Sequence, residues 1–207
     1  MKAIIFDFDG TIADSFDMFI EVMMVLLRRT QPLTAAQIED LRQSSTREVI
    51  KKLGIKPWQI PRLMLKGRRE MSARMERVQA FDGLPEALRE LSSQYSLYIL
   101  STNSEENIAT FLKKYQLGNN IDRIYGNIGL MGKAKGLKKL PQQASLDRAD
   151  CVYVGDETRD IEAARQAGMS CIAVGWGYNG AEALRSFAPD ALAETPGALL
   201  EIIRGLK

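Results

Sequence analysis

The amino-acid sequence predicts an α/β fold: a parallel sheet interleaved with helices, with an all-helical segment inserted after the first strand. Three observations predict it. Short apolar runs of the kind that form fully buried strands recur along the chain, and several end in polar clusters. Segments with apolar residues at three- and four-residue spacing lie between them. Between the first run and the second, residues 14–80 show helical spacing alone. Strands alternating with helices imply right-handed βαβ units, and in such sheets ligands bind beyond the carboxyl ends of the strands.

Residues 3–6, Ala-Ile-Ile-Phe, suit a central strand buried on both faces. Asp7 and Asp9 follow, and Gly10 permits a turn. Residues two apart on a strand point to the same side, so two like charges meet there unless the chain turns or a cation sits between them. From 14 to 29, Phe16, Phe19, Ile20, Met23, Met24 and Leu27 recur at helical spacing. Thr34 can cap a helix reaching Arg42, and Ser45 can cap one over 46–53 that Gly54 stops. Pro57 opens a long amphipathic run to about residue 78. Turn residues at 81–85 then return the chain to the alternating rhythm. A helix is expected over 84–93, and a strand over 97–100 that ends in Ser101, Thr102 and Asn103. Ser104 caps a helix over 105–115, and a short strand follows at 123–127. A lysine-rich helix is expected over 133–140, a strand over 151–155 and a helix over 158–167 stopped by Gly168. A strand over 171–174 and an amphipathic helix over 196–206 complete the pattern.

Composition narrows the chemistry. A length of 207 residues is enough for a sizeable core, and a net charge of +2 with interleaved signs makes no basic stripe for nucleic acid. No run approaches ~20 apolar residues, so no membrane span is expected, and Asp7 and Asp9 interrupt the first apolar run where a secretory signal would need it intact. Cys151 and Cys171 each begin a strand-like run without CxxC spacing, which predicts buried thiols in a reducing cytoplasm. There is no histidine, which removes Ser-His-Asp and Cys-His triads and His-ligated metals. Catalysis must rest on carboxylates, hydroxyls, lysines and metal ions.

Three strand ends carry such groups: Asp7 with Asp9, Ser101 with Thr102 and Asn103, and Asp156 with Asp160. Four carboxylates in one crevice require a compensating cation, and oxygen donors without His or Cys select Mg2+. The nearer carboxylate can then attack phosphorus, while Asp9 can protonate the leaving oxygen and later deprotonate water. Ser101 with neighbouring backbone N–H groups can hold phosphoryl oxygens, and a lysine supplies fixed positive charge. Taken singly, each group has an ordinary structural explanation. Their joint occurrence at successive strand ends points to phosphoryl transfer.

Asp7-Phe8-Asp9-Gly10-Thr11 matches the motif DxDGT, Ile99-Leu100-Ser101 an apolar strand ending in Ser or Thr, and the stretch from Gly155 to Asp160 the motif GDxxxD. By these motifs the chain resembles the haloacid dehalogenase superfamily over nearly its whole length. The resemblance implies a Rossmann-like core of residues 1–13 and 81–207, with residues 14–80 as a mobile helical cap of the C1 type. It implies Asp7 as nucleophile, Asp9 as acid/base with its backbone carbonyl on Mg2+, Asp156 as a direct metal ligand and Asp160 as a ligand or a partner of one. The phosphate-binding set is then Ser101, Thr102, Asn103 and Lys133, the lysine that opens its helix, with Lys135 the alternative.

The family's dehalogenases lack the second aspartate of the first motif and need no metal, so Asp9 leaves a phosphatase or a phosphomutase. A mutase of the β-phosphoglucomutase type shares the core, but its cap normally adds a base or sugar clamp that often includes His. The expected activity is therefore hydrolysis of a small soluble phosphomonoester, similar to that of phosphoglycolate phosphatases, by a monomer or homodimer. A catalytically silent binding module is the remaining alternative. In the cap, Arg42 and Arg47 are the candidates for pairing with a second anionic group of the substrate.

Overall fold

A computed structural model describes residues 1–129 and 132–206. In chain order, β1 (Ala3–Phe6) is followed by the two-residue strand β2 (Ala13–Asp14), the helices α1 (Phe16–Leu26), α2 (Ala35–Arg42), α3 (Thr46–Lys52) and α4 (Ile60–Ser72), and a second short strand β3 (Gln79–Ala80). The chain continues through α5 (Leu84–Ser92), β4 (Ser96–Leu100), α6 (Glu105–Lys114), β5 (Arg123–Tyr125), α7 (Lys133–Gln143) and β6 (Cys151–Gly155). It ends with α8 (Thr158–Ala167), β7 (Ser170–Val174), α9 (Ala181–Ser186), β8 (Ala191–Ala193) and α10 (Pro196–Gly205).

Six of these strands form one parallel sheet in the order β5-β4-β1-β6-β7-β8. This is the α/β, Rossmann-like architecture expected from the alternating pattern. β1 is central, with Phe6 opposite Ile99 of β4 and Val154 of β6, so the residues following these three strands emerge side by side at one edge. Period-two alternation divides the core. Ile4 and Phe6 pack with residues of α5, α6 and α10, whereas Ala3 and Ile5 pack with residues of α7, α8 and α9. Among the described residues no helix is long and apolar enough to cross a membrane. Cys151 and Cys171 are buried and unpaired.

The segment between β1 and α5 departs from the expected pattern at its edges. The expected helix start at residue 14 is instead β2, which pairs antiparallel with β3 through Ala13 to Ala80 and Asp14 to Gln79. The carbonyl of Phe8 accepts from the amides of Thr11, Ile12 and Ala13, and this tight turn delivers the next residues in extended form. A two-residue strand is too short to show a period. The amphipathic run over 57–78 is broken into a 3-10 turn at Pro57–Gln59, α4, and a second 3-10 turn at Met75–Arg77. The Ser and Thr caps do form: Thr34 with Gln37 and Ser45 with Glu48 each make a reciprocal capping box. α7 continues through Pro141 past the expected end, because Leu137, Leu140 and Pro141 are buried and that packing outweighs one missing amide hydrogen bond. The short elements α9 and β8 were not foreseen.

Candidate active site

Asp7 leaves β1 with its backbone still in the sheet, its N–H donating to the carbonyl of Val154 at 2.8 Å. Its side chain is only 3% exposed. Lys133, the first residue of α7 and equally buried, donates through Nζ to Asp7 Oδ2 and, at 2.5 Å, to Asp160 Oδ1. Asp160 lies in the first turn of α8, where its Oδ2 accepts from the N–H of Glu157 at 3.0 Å and Tyr153 donates its hydroxyl to Oδ1 at 3.3 Å. Asp156, at the end of β6, has both carboxylate oxygens held: Thr11 donates to Oδ1 and the N–H of Tyr178 to Oδ2, each at 2.7 Å. Two glycines make room for this. Gly10 has φ +78°, and a Cβ there would stand 2.1 Å from Asp156 Oδ2. A Cβ on Gly155 would stand 2.7 Å from the side chain of Asp160.

Asp7, Asp156 and Asp160 each offer an oxygen, and these atoms lie within 4.8 Å of one another. Burial, reinforced by Asp160 and opposed by Lys133 and Arg159, pushes the Asp7 carboxyl up to about 7. Burial and then the charges of Glu157, Asp160 and Asp7 raise Asp156 well above the carboxylate range. Burial works against the charge of Lys133, but Asp160 and Asp7 outweigh it and hold the ammonium above its ordinary value. One ammonium among three carboxylates leaves the cluster short of positive charge, and its donors are all hard oxygens. That set fits a small divalent cation such as Mg2+.

The Asp9 carboxylate lies apart from the trio. It accepts from Ser15 Oγ at 3.0 Å and from Asn103 Nδ2 at 3.0 and 3.2 Å. Burial raises its pKa, with Ser15 and Asn103 acting in the opposite sense. Asn103 is itself fixed, its Oδ1 accepting from Ser104 N–H and Asn107 Nδ2, both at 2.8 Å. Ser101 is buried at the end of β4 and accepts from the N–H of Asn103 at 3.1 Å, while Thr102 faces the open space above. The structure thus brings Asp7, Asp9, Asp156, Asp160, Ser101, Asn103 and Lys133 to one end of the sheet. Lys135 is exposed on the outer face of α7.

A cavity of about 240 Å³ stands over Asp9, Thr102, Asn103 and Arg159, and its opposite wall is the helical segment. Phe16, Phe19, Ile20, Met23, Leu63 and Met64 supply much of that wall. Arg42 and Arg47, the expected substrate contacts, do not line it. The Arg42 guanidinium sits 4.9 Å above the Phe16 ring, and Arg47 is exposed. Helical spacing leaves open which side of α3 meets the sheet domain. It is Thr46 that does, donating to Glu157 Oε2 at 3.1 Å. The arginine that reaches inward from this segment is Arg68 of α4, with Nη2 donating to the carbonyl of Ile128 at 3.3 Å.

Sequence reasoning missed Thr11, Glu157, Arg159, Tyr178, Asn179 and Arg68. Thr11, Glu157 and Arg159 lie inside the quoted motifs, where their spacing alone offered a signal. Tyr178 and Asn179 lie in a glycine-rich loop without periodicity. Asn179 ties the helical segment down: Nδ2 donates to the carbonyls of Arg42 at 3.0 Å and Ser44 at 2.8 Å, while Oδ1 accepts from Thr158 N–H at 2.9 Å.

Residues 4–174 match the haloacid dehalogenase-like hydrolase family. A phosphoglycolate phosphatase of Synechococcus elongatus is 36% identical over 209 residues, covering 100% of this chain and 99% of its own. The pyrophosphatase PpaX of Listeria monocytogenes is 27% identical over 225 residues, covering 99% and 97%. Among solved structures, a haloacid dehalogenase-like family hydrolase of Streptococcus pneumoniae superposes with a TM-score of 0.79 at 25% identity, covering 100% of this chain and 99% of that one.

Proposed function

The chain belongs to the haloacid dehalogenase-like hydrolase family, and from that premise we propose that it is a Mg2+-dependent phosphatase acting on a small soluble phosphomonoester through an aspartyl-phosphate on Asp7. The observation that carries this is the buried Asp7 carboxylate, bridged by Lys133 to Asp160 and set beside Asp156. The names of the relatives, phosphoglycolate phosphatase and pyrophosphatase, support a small anionic substrate.

Asp7 supplies a carboxylate oxygen that bonds to phosphorus as the ester P–O bond breaks. Asp9 delivers a proton to the departing oxygen, a role its raised pKa and its fixed partners Ser15 and Asn103 suit. Asp9, now a carboxylate, takes a proton from water. The water oxygen bonds to phosphorus, and inorganic phosphate leaves as Asp7 is restored. Lys133, Ser101 and the backbone N–H groups that follow it steady the phosphoryl oxygens. Asp7 and Asp156, the Asp9 backbone carbonyl and Asp160 would hold Mg2+, which when bound neutralises phosphoryl charge. Phe16, Phe19, Ile20, Leu63 and Met64 make the wall above Asp9 largely apolar, which weighs against a sugar phosphate and hence against a mutase.

Residues 14–80 act in this account as a cap moving about the β2–β3 ribbon, opening to admit substrate and closing to exclude water. Release of phosphate from p-nitrophenyl phosphate, dependent on Mg2+ and lost in Asp7→Asn, tests the proposal. No turnover of any phosphomonoester would overturn it.

A further inference from the structure

Tyr178 meets three parts of the site at once. Its N–H donates to Asp156 Oδ2 at 2.7 Å, its hydroxyl lies 3.0 Å from Ser15 Oγ, and its ring packs on Phe16 and Phe19 of α1 with centroids 5.3 Å apart in each pair. Gly10 leaves room for that ring, since a Cβ there would stand 2.5 Å from Tyr178 Cδ1.

The hydroxyl hydrogens on this path have only one assignment that serves every group. Ser15 is completely buried, and its single hydroxyl hydrogen goes to Asp9 Oδ1 at 3.0 Å. Towards Tyr178, Ser15 Oγ can then only accept, so the phenol donates to the serine and the serine to the aspartate. The Ser15 carbonyl, 3.4 Å from the phenolic oxygen, is a longer alternative for the same hydrogen. Asp9 Oδ1 also accepts from Asn103 Nδ2 at 3.2 Å, which fills both of its lone pairs. Oδ2 receives Asn103 alone, at 3.0 Å, and keeps a position for a proton. Ser15 also stands at the N-cap of α1, where a serine ordinarily accepts from a backbone N–H of the first turn, yet its side chain makes no such bond. The hydroxyl serves Asp9 instead of the helix.

We infer that Tyr178 is a positioning residue for proton transfer by Asp9, acting through Ser15: its phenolic O–H fixes the Ser15 hydroxyl, which engages Oδ1 and leaves Oδ2 as the oxygen that carries the proton. That proton passes from Oδ2 to the leaving oxygen as the ester P–O bond breaks. The ring contacts with Phe16 and Phe19 hold the phenol against the start of α1, where Ser15 lies. This inference rests on the phosphatase proposal for the role of Asp9.

Tyr178→Phe keeps the ring and the backbone N–H and removes only the hydroxyl. Hydrolysis of phenyl phosphate and of p-nitrophenyl phosphate by the full-length protein in Mg2+ tests the inference. The two substrates share a ring and a phosphoryl group, but phenolate departs with a proton's help whereas p-nitrophenolate leaves readily without it. The quantity to compare is kcat/KM, which covers the steps through departure of the leaving group. In Tyr178→Phe it should fall about 10-fold on phenyl phosphate, a part of the roughly 10²- to 10⁴-fold that general acid catalysis contributes, and about 2-fold or less on p-nitrophenyl phosphate. Ser15→Ala should show the same contrast, and adding Tyr178→Phe to Ser15→Ala should lower kcat/KM no further, because groups in one hydrogen-bond chain do not act additively. The contrast is read between two substrates of one protein, so lost stability does not mimic it. An undiminished kcat/KM on phenyl phosphate, equal losses on both substrates, or additive losses in the double variant would each overturn the inference and leave the phosphatase proposal standing. Hydrolysis of neither substrate by the wild type would overturn the phosphatase proposal and the inference with it.

Discussion

The ammonium of Lys133 donates to the carboxylate of Asp7 across 126 positions of sequence, with both side chains almost completely buried. The pair joins the start of α7 to the end of β1, and the same ammonium continues to Asp160 on α8. Removing one partner of a buried ion pair leaves the other uncompensated, at a cost of about 3–5 kcal/mol. Lys133→Met should therefore lower kcat on p-nitrophenyl phosphate by about 10²-fold or more, as loss of a preorganised charge donor does. It should also lower Tm in the metal-free protein. Steady-state kinetics with a parallel thermal melt checks both, and an undiminished kcat would remove Lys133 from the phosphoryl-binding set.

Metal-free protein should lose stability as pH rises from about 4 to about 7. The Asp7 carboxyl is pushed up to about 7 in the fold, and Asp156 is raised as well, so the folded state holds protons that the unfolded chain releases. Stability then falls with pH across that window. Glu48 and Asp150 shift the other way but their ion and hydrogen-bond partners lie at the solvent-screened surface, so they contribute little. Mg2+ requires the ionised carboxylates, so its addition should raise Tm more at pH 7.5 than at pH 5. Melts with EDTA and with Mg2+ at several pH values would show this. A Tm that rises with pH in EDTA would contradict it.

Both thiols should be inert in the native protein. Burial, with Asp150 and Asp147 adding, pushes the Cys151 thiol up to about 11, and burial raises Cys171 further. Reaction with a disulfide reagent at pH 8 should be slow when native and release two equivalents on denaturation, read by absorbance.

Asn179→Ala removes the donor shared by the carbonyls of Arg42 and Ser44 and the acceptor of Thr158 N–H. Loss of these bonds should cost about 1–3 kcal/mol and loosen the docking of residues 42–46. The expected result is a KM raised several-fold with a smaller change in kcat, and faster hydrogen exchange at 42–46. Unchanged exchange there would show that other contacts, such as Thr46 with Glu157, suffice.

Legibility in the sequence followed the range of the forces involved. β1, β4 and β6 were readable because burial on both faces demands uninterrupted apolar runs, and the caps at Thr34 and Ser45 because they are local hydrogen-bonding devices. β2 and β3 were not, since two residues carry no period and each is extended only because the other pairs with it. Lys133 and Lys135 differ by two positions on one helix. Only the packing of α7 decides that the first turns inward and the second outward.

By itself, the sequence determined the α/β class, the family motifs and the strand ends at which the carboxylates fall, all of which follow from local pattern and chain order. The tertiary structure alone decided that Arg159 and Arg68 line the cavity while Arg42 and Arg47 do not, and that Asp9 is held by Ser15 and Asn103 away from the other carboxylates. Those outcomes depend on how the helical segment docks on the sheet through Asn179 and Glu157, contacts more than a hundred positions apart that no local period encodes.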